Sequence, residues 1–202
     1  MLLKLCLNEE RLVKKIAAYG DNAVNGLKNA QSSLEGFIDR VVAEDAEAAS
    51  KNYMSCVAVD TRTGRPYFGL SGTRTPNPTI NNGVVPDGTT SDHLYEYYKN
   101  ILNDDMAAAR SQGKTEMEKE LAALKKNIDD VKEAASDSGF GDSFCEEHAV
   151  DNCAEIWASR NAILDGAKLD DLAYRAQKTG TKGYCSPCAN CVRTFAGHII
   201  IN

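Results

Sequence analysis

Residues 187–191 read Pro-Cys-Ala-Asn-Cys, and the interpretation of the whole chain depends on this stretch. Proline is favoured in the first turn of a helix, so a helix is predicted to begin near Pro187. Cys188 and Cys191 then stand i, i+3 on one helical face, where their sulfur atoms can bind the same metal ion. The N-terminus of a helix also favours thiolate over thiol, which is the form that zinc binds. The stretch therefore predicts part of a zinc site.

The remaining ligands must come from elsewhere in the chain. A catalytic zinc ion has three protein ligands and one position for water, whereas a structural zinc ion has four protein ligands. Cys153 stands at the predicted start of a second helix, which extends to about residue 165, and Glu155 follows it. Other candidate ligands are Cys145, His148 and Cys185. The residues alone thus leave a catalytic and a closed structural site open.

Strands and helices alternate around these two cysteine-bearing helices. Apolar runs at residues 53–59 and 66–71 flank the turn-forming sequence Asp60-Thr-Arg-Thr-Gly64, a pattern typical of a β-hairpin. Further strands are predicted at residues 172–177 and 198–201, one before and one after the Pro-Cys-Ala-Asn-Cys stretch. This order predicts an α/β domain in which crossover helices pack on a sheet.

Two further helical segments are predicted outside this pattern. The first is an amphipathic stretch within residues 1–50, which could cap the domain, connect it to further chain or form a dimer face. The second is a helical hairpin at residues 94–135, which follows a long loop at residues 72–91 rich in Pro, Asn, Thr and Gly. We therefore divide the chain into a helical N-terminal segment, residues 1–50, and a domain, residues 51–202, with a helical insertion at about 92–140.

The charge of the chain limits the kinds of partner it can bind. The formal net charge is −6 over 202 residues, so strong non-specific binding of nucleic acid by the whole surface is not expected. Residues 156–202 nevertheless carry six Lys and Arg against three Asp and Glu, which allows local contact with a phosphate backbone. These basic residues are Arg160, Lys168, Arg175, Lys178, Lys182 and Arg193.

Neither a signal peptide nor a membrane span is predicted. The N-terminal stretch MLLKLCLNEE has a short apolar start before Glu9 and no small-residue cleavage site. The chain has seven cysteines, and three of them fall within residues 185–191. An odd and clustered set of cysteines indicates metal binding in a reducing compartment rather than a disulfide framework.

Cys153-Ala-Glu155 followed by Pro187-Cys-Ala-Asn-Cys191 resembles the paired signature of the cytidine-deaminase-like superfamily. The likeness covers residues 53–71 and 143–202 and implies a three-layer α/β/α domain with a mixed sheet. Within the superfamily, the chain is most similar to the deaminase domains at the C-termini of bacterial polymorphic toxins. The Thr-Arg-Thr-Gly hairpin, the Pro/Asn-rich loop and the use of cysteine as first ligand carry that similarity. The chain departs from the family in ending after the fourth predicted strand and in its long insertion.

The resemblance implies one Zn²⁺ per chain, bound by Cys153, Cys188 and Cys191. Glu155 would then not be a ligand: it would carry the proton as a zinc-activated water attacks C4 of cytosine or C6 of adenine and ammonia leaves. A structural zinc site with four protein ligands does not require a carboxylate at this position. We expect further substrate contacts from Asn77, Ala154, Ser186, Pro187 and Arg193.

The substrate expected from the resemblance is cytosine in a polynucleotide, with single-stranded DNA as the first choice. The protein would be a toxin-type deaminase that acts in the cytoplasm of a target cell after delivery, with an immunity-type inhibitor protein as partner and no membrane role. One alternative is a deaminase of free cytidine or adenosine, as nucleoside or nucleotide. A second alternative is a non-catalytic interaction module with a structural zinc site.

Overall fold

A computed structural model describes residues 5–7, 9–44, 53–71, 100–145 and 149–202. Within these residues, six strands follow in chain order: β1 (Leu5–Leu7), β2 (Met54–Asp60), β3 (Arg65–Leu70), β4 (Leu172–Lys178), β5 (Tyr184–Cys185) and β6 (Ile199–Ile201). The α-helices are α1 (Glu9–Tyr19), α2 (Asp21–Glu44), α3 (Ile101–Ser111), α4 (Thr115–Ala134), α5 (Ala154–Leu164) and α6 (Ala189–Thr194). Two short 3-10 helices span Val150–Asn152 and Leu169–Asp171.

The strands form one mixed sheet in the order β1-β6-β4-β2-β3, and β5 pairs with β4. The hairpin β2–β3, the pair β2–β4 and the pair β1–β6 are antiparallel. Strands β4 and β6 are parallel, because α6 lies in the crossover between them and returns the chain to the same end of the sheet. The predicted α/β class, the hairpin and the strands on either side of the cysteine stretch are confirmed.

Helices cover both faces of this sheet. Strand residues alternate between the faces, so Val57 and Val59 pack with α2 on one side while Cys56 and Ala58 pack with α5 on the other. Gly26 allows α2 to approach the hairpin closely, because a Cβ at Gly26 would lie 2.8 Å from Cγ1 of Val59. Helix, sheet and helix therefore form three layers.

The N-terminal segment belongs to these layers. As predicted, residues 9–44 are mostly helical, and α2 packs on β2 and β3. The strand β1 was not predicted, because a run of three residues is too short to show a period. It pairs antiparallel with β6 and covers the edge of that strand. The division of the chain at residue 50 stays a prediction.

The helical insertion is a hairpin of α3 and α4, as predicted, with the break at residues 112–114. Helix α4 packs on both cysteine-bearing helices, α5 and α6, and it does so through an apolar stripe of Leu121, Leu124, Ile128 and Val131. The predicted loop at residues 72–91 lies outside the described residues. Among the helices that the structure describes, none is long and apolar enough to cross a membrane.

Candidate metal centre

Two helix N-termini carry two of the three candidate metal ligands. Cys153 is the N-cap of α5, with an extended backbone at φ −69° and ψ 139°. Cys188 is the N-cap of α6, at φ −69° and ψ 170°. Because an N-cap residue is not yet helical, its side chain can project along the helix axis toward a shared ion. The prediction that α6 begins near Pro187 is wrong by two residues, since regular helix starts at Ala189.

The sulfur atoms of Cys153, Cys188 and Cys191 all lie within 4.8 Å of one another. The distance between the Sγ atoms of Cys153 and Cys188 is 3.8 Å. Two thiolates bound at about 2.3 Å to one tetrahedral zinc ion lie about 3.8 Å apart, so Cys153 and Cys188 have the spacing of two ligands of one ion. Cys153 and Cys191 are buried, whereas Cys188 is half-buried and reaches solvent. The three cysteines can therefore hold a metal ion.

Without a nearby cation, ionisation of the clustered thiols is unfavourable. Hydrogen bonding to Cys188 comes first among the causes that hold the pKa of Cys153 well above its ordinary value. For Cys191 the first cause of the raised pKa is its hydrogen bond with Cys153. Burial and the charge of neighbouring groups act in the same direction. A bound metal ion would remove this cost, because it compensates the negative charge of the thiolates.

Glu155 lies beside the sulfur atoms in the first turn of α5. Its side chain is buried, at 6% exposure. Burial, and then the charge of Glu155, raise the pKa of Cys56 well above its ordinary value, and the same carboxylate contributes to the raised pKa values of Cys153 and Cys191. The Cys-Ala-Glu spacing can bring both side chains to one site only if Cys153 lies at the very start of its helix. Cys153 meets this requirement, because it is the N-cap of α5.

A buried hydrogen-bond chain fixes the turn of α5 that carries Glu155. The hydroxyl of Ser159 donates to the backbone carbonyl of Glu155 at 2.7 Å. The same hydroxyl lies 2.9 Å from the phenol oxygen of Tyr174 on β4. All three side chains are buried. The sheet therefore supports the helix directly behind the candidate site.

The other predicted contact residues are placed differently. Ala154 is buried beneath the site, Pro187 is half-buried and Ser186 is exposed in the connection that leads to Cys188. Arg193 is exposed on α6, and its guanidinium lies 3.8 Å from the centre of the Phe144 ring. Asn77 lies outside the described residues. The roles of these five residues in substrate binding stay predictions.

Arg160 was expected among the basic side chains available to a phosphate backbone, and this expectation is wrong. Its side chain is buried and makes a two-pronged ion pair with Asp105, with Nε–Oδ2 at 2.6 Å and Nη2–Oδ1 at 3.0 Å. The guanidinium also lies over the ring of Trp157. Arg160 therefore joins the insertion to α5, and no periodicity in the sequence indicates such a long-range pair.

Asn190 is a site residue that the sequence analysis did not single out. It is fully buried between the two cysteines of α6. Its side-chain oxygen accepts a hydrogen bond from the backbone N–H of Phe144 at 2.9 Å, and its amide donates to Oγ of Ser143 at 3.0 Å. Asparagine inside a Cys-x-x-Cys stretch carries no signal of this role, because its partners lie almost fifty residues away.

The remaining candidate ligands are not members of the three-sulfur cluster, although Cys145 lies next to Cys188. Cys145 and Cys185 are half-buried and outside the group of three sulfurs, and His148 lies outside the described residues. Trp157 is buried in the core. Phe195 is a core residue as well, packed against Tyr174 and His198.

Comparisons of the chain with protein families, with curated proteins and with solved structures find no match. The three cysteines and Glu155 are thus the features from which a function can be inferred.

Proposed function

We propose that this protein is a zinc-dependent hydrolytic nucleobase deaminase that converts cytosine to uracil in a polynucleotide, with single-stranded DNA as substrate. The observation that carries the proposal is the position of Glu155, buried in the first turn of α5 beside the three clustered cysteines. Three protein ligands leave a fourth position for water, and a carboxylate next to that position is what a hydrolytic site needs.

The reaction consumes one water and releases one ammonia for each cytosine converted to uracil. Zinc, when bound by the three thiolates, lowers the pKa of water so that a nucleophile for C4 is available near neutral pH. Glu155 accepts the proton that this water loses and delivers it to the ring nitrogen, and a proton then reaches the departing amine by the same carboxylate.

The architecture agrees with the family that the sequence resembles. That resemblance implies a hairpin, a helix that opens with the first ligand, a strand, and a helix that opens with Pro-Cys-x-x-Cys. The hairpin β2–β3, helix α5, strand β4 and helix α6 follow one another in this order.

A polynucleotide is favoured over a free nucleoside by the toxin-like resemblance and by the exposed basic side chain of Arg193 on a cysteine-bearing helix. Arg193 is exposed on α6, two residues after Cys191. Lys182 is in the turn between β4 and β5, where it is partly neutralised by an ion pair with Asp39. An immunity-type inhibitor protein is proposed as partner on the resemblance alone.

The proposal is tested by replacing Glu155 and measuring metal and turnover separately. Glu155→Gln should retain about one zinc ion per chain and the thermal stability of the parent, and should lose at least about a thousandfold in deamination rate. Glu116→Gln, a substitution of an exposed glutamate on α4, should change neither. Undiminished deamination by Glu155→Gln would overturn the mechanism.

The substrate is identified by offering single-stranded DNA, double-stranded DNA, RNA, cytidine and adenosine to the zinc-loaded protein and measuring ammonia. Uracil should form in single-stranded DNA, and the rate should fall as salt rises, because contacts with phosphates are weakened by salt. Activity on free cytidine or adenosine that salt does not change would identify the nucleoside alternative.

A structural zinc site is the second candidate, and Cys145 is the observation in its favour. The hydrogen bond and the charge of Cys188 are among the causes of the raised pKa of Cys145, after its burial, so these two thiols are neighbours. X-ray absorption at the zinc edge separates the candidates. The proposed enzyme has three sulfur ligands and one oxygen ligand, whereas the structural site has four sulfur ligands.

A further inference from the structure

Cys145 is a fourth thiol at the edge of the metal centre, and the proposed chemistry does not use it. Burial, and then the proximity of Cys188, raise the pKa of Cys145 above its ordinary value, and hydrogen bonding to Cys188 acts in the same direction. The backbone N–H groups of Ala189 and Asn190, at the start of α6, also contact its sulfur. Cys145 therefore lies at the same helix N-terminus as the metal ligand Cys188.

This position is set by a network of hydrogen bonds. Asn190 accepts from the N–H of Phe144 at 2.9 Å and donates to Oγ of Ser143 at 3.0 Å. Oγ of Ser143 also accepts from the N–H of Cys145 at 3.0 Å. The chain on the N-terminal side of Cys145 is thereby attached to a buried residue of α6, two positions after Cys188.

Cys145 and Cys188 are also the two thiols of this group that solvent reaches. Cys188 is half-buried, whereas the other two cysteines of the metal centre, Cys153 and Cys191, are buried. Cys145 is half-buried as well. A small oxidant can therefore reach one metal ligand and one non-ligand that are already in contact.

We propose that Cys145 and Cys188 form a reversible disulfide that removes one of the three metal ligands and releases the metal. The proposal rests on the metal site of the proposed function. It makes the proposed enzyme sensitive to its redox compartment: active where thiols stay reduced, and without metal where they are oxidised.

The oxidant is a low-molecular-weight disulfide, and the exchange balances with it. The thiolate of Cys188 would leave the metal and attack one sulfur of the small disulfide, whose S–S bond breaks and whose other half leaves as a thiolate that takes a proton from solvent. The thiol of Cys145 then attacks the sulfur of Cys188 in the mixed disulfide, and the second half leaves as a thiol with the proton of Cys145. The two protein sulfurs have lost two electrons, which the two small thiols have gained, and the two protons come from Cys145 and from solvent. The metal centre keeps the sulfurs of Cys153 and Cys191 alone, fewer than a stable site requires.

Cys185 is the competing partner, because it is also half-buried and stands three residues before Cys188. Its strand, β5, pairs with Ala176 and Gln177 of β4, which holds its backbone in the sheet. The pKa of Cys185 is raised first by burial, and Cys188 contributes only through its charge, without the hydrogen bond that links it to Cys145. The hydrogen bond with Cys188 therefore favours Cys145 over Cys185 as its disulfide partner.

The test uses the full-length, zinc-loaded protein and glutathione disulfide. Zinc release is followed with a chromogenic chelator, and the disulfide is mapped by mass spectrometry of peptides. The parent should release about one zinc ion per chain and yield a peptide pair joined through Cys145 and Cys188, and reduction should restore zinc binding. Cys145→Ser should bind zinc but release it at least about tenfold more slowly. Cys185→Ser, the matched control, should behave as the parent.

Three results would overturn the proposal: a Cys185–Cys188 linkage, unchanged zinc release by Cys145→Ser, or a Cys145→Ser protein that binds no zinc. The last result would make Cys145 a ligand. Failure of the proposed function is distinguishable from failure of this proposal. A protein without deaminase activity would still form the Cys145–Cys188 disulfide and release zinc, and both can be measured. A protein purified without zinc would contradict the metal site, and its oxidised peptides would still identify the partner of Cys188.

Discussion

Gly69 on β3 packs directly against the backbone of Ala154, the first residue of α5. A Cβ placed on Gly69 would lie 2.2 Å from the carbonyl oxygen of Ala154 and 2.5 Å from the backbone nitrogen of Ala158. Ala154 is the residue between Cys153 and Glu155. The hairpin and the candidate site are therefore in contact at the turn of helix that carries both a proposed metal ligand and the proposed proton carrier.

Gly69→Ala should displace this turn and destabilise the protein by about 3 kcal/mol, because neither backbone can yield to a contact of 2.2 Å. Zinc content should fall with it, since Cys153 immediately precedes the displaced residue. Chemical denaturation and metal analysis measure the two effects. Gly36→Ala on α2 is the matched control: its Cβ would meet nothing within 4 Å, and alanine in a helix interior should raise stability by about 1 kcal/mol. Equal stability of the two variants would contradict the packing described for Gly69.

Asp105→Asn should weaken the attachment of the helical insertion to α5. The side chain of Arg160 is 6% exposed and that of Asp105 is 15% exposed, and removal of one charge from a buried pair costs about 3 kcal/mol. The comparison is Asp104→Asn, an exposed neighbour on the same helix, which should change the free energy of unfolding by less than about 0.5 kcal/mol. Urea denaturation measures both. A similar loss of unfolding free energy in Asp105→Asn and Asp104→Asn would show that the Arg160–Asp105 ion pair does not stabilise the protein.

Asn190→Ala should lower both stability and zinc affinity. The substitution leaves the N–H of Phe144 and the hydroxyl of Ser143 without the buried amide that now bonds them, and each lost buried partner costs about 1 to 3 kcal/mol. Competition with a chelator of known affinity measures the zinc site, and thermal denaturation measures the fold. Asn103→Ala, at an exposed position of α3, serves as control. Wild-type zinc affinity in Asn190→Ala would mean that the Ser143–Phe144 segment is irrelevant to the site.

Tyr67→Phe should reveal a stabilising hydrogen bond that disappears at high pH. Burial and the hydrogen bond to Asp165, 2.7 Å long, raise the pKa of Tyr67 to about 12, against about 10 in an unfolded chain. Folding therefore favours the protonated phenol. Its contribution, about 1 kcal/mol for a partly exposed bond, should be complete below pH 10 and decline as pH rises toward 12. Urea denaturation of parent and variant from pH 8 to pH 11 measures the difference. A difference that grows above pH 10 would contradict this sign.

Local patterns were enough to predict the class of the fold and most of its elements. The β2–β3 hairpin, the helices opening at Cys153 and near Cys188, and the helical hairpin of the insertion all have short-range signals: turn residues, capping positions and a 3.6-residue period. The three-cysteine cluster was predicted from spacing and resemblance together, and the structure brings its sulfurs within 4.8 Å of one another. The start of α6 was misplaced because proline is compatible with the extended residues before a helix as well as with its first turn.

What the sequence by itself determined was the set of candidate site residues: the thiols of Cys153, Cys188 and Cys191, and the carboxylate of Glu155. What only the tertiary structure decided was which side chains lie next to them. Arg160 is paired with Asp105, Asn190 bonds to Ser143 and Phe144, Cys145 lies against Cys188, and β1 covers the edge of β6. These contacts join residues far apart in the chain, and no local spacing encodes them. They arise because the sheet and its two helical layers bury their apolar faces against one another. Polar side chains buried between these layers are stable only when they are hydrogen-bonded or paired with a charge there.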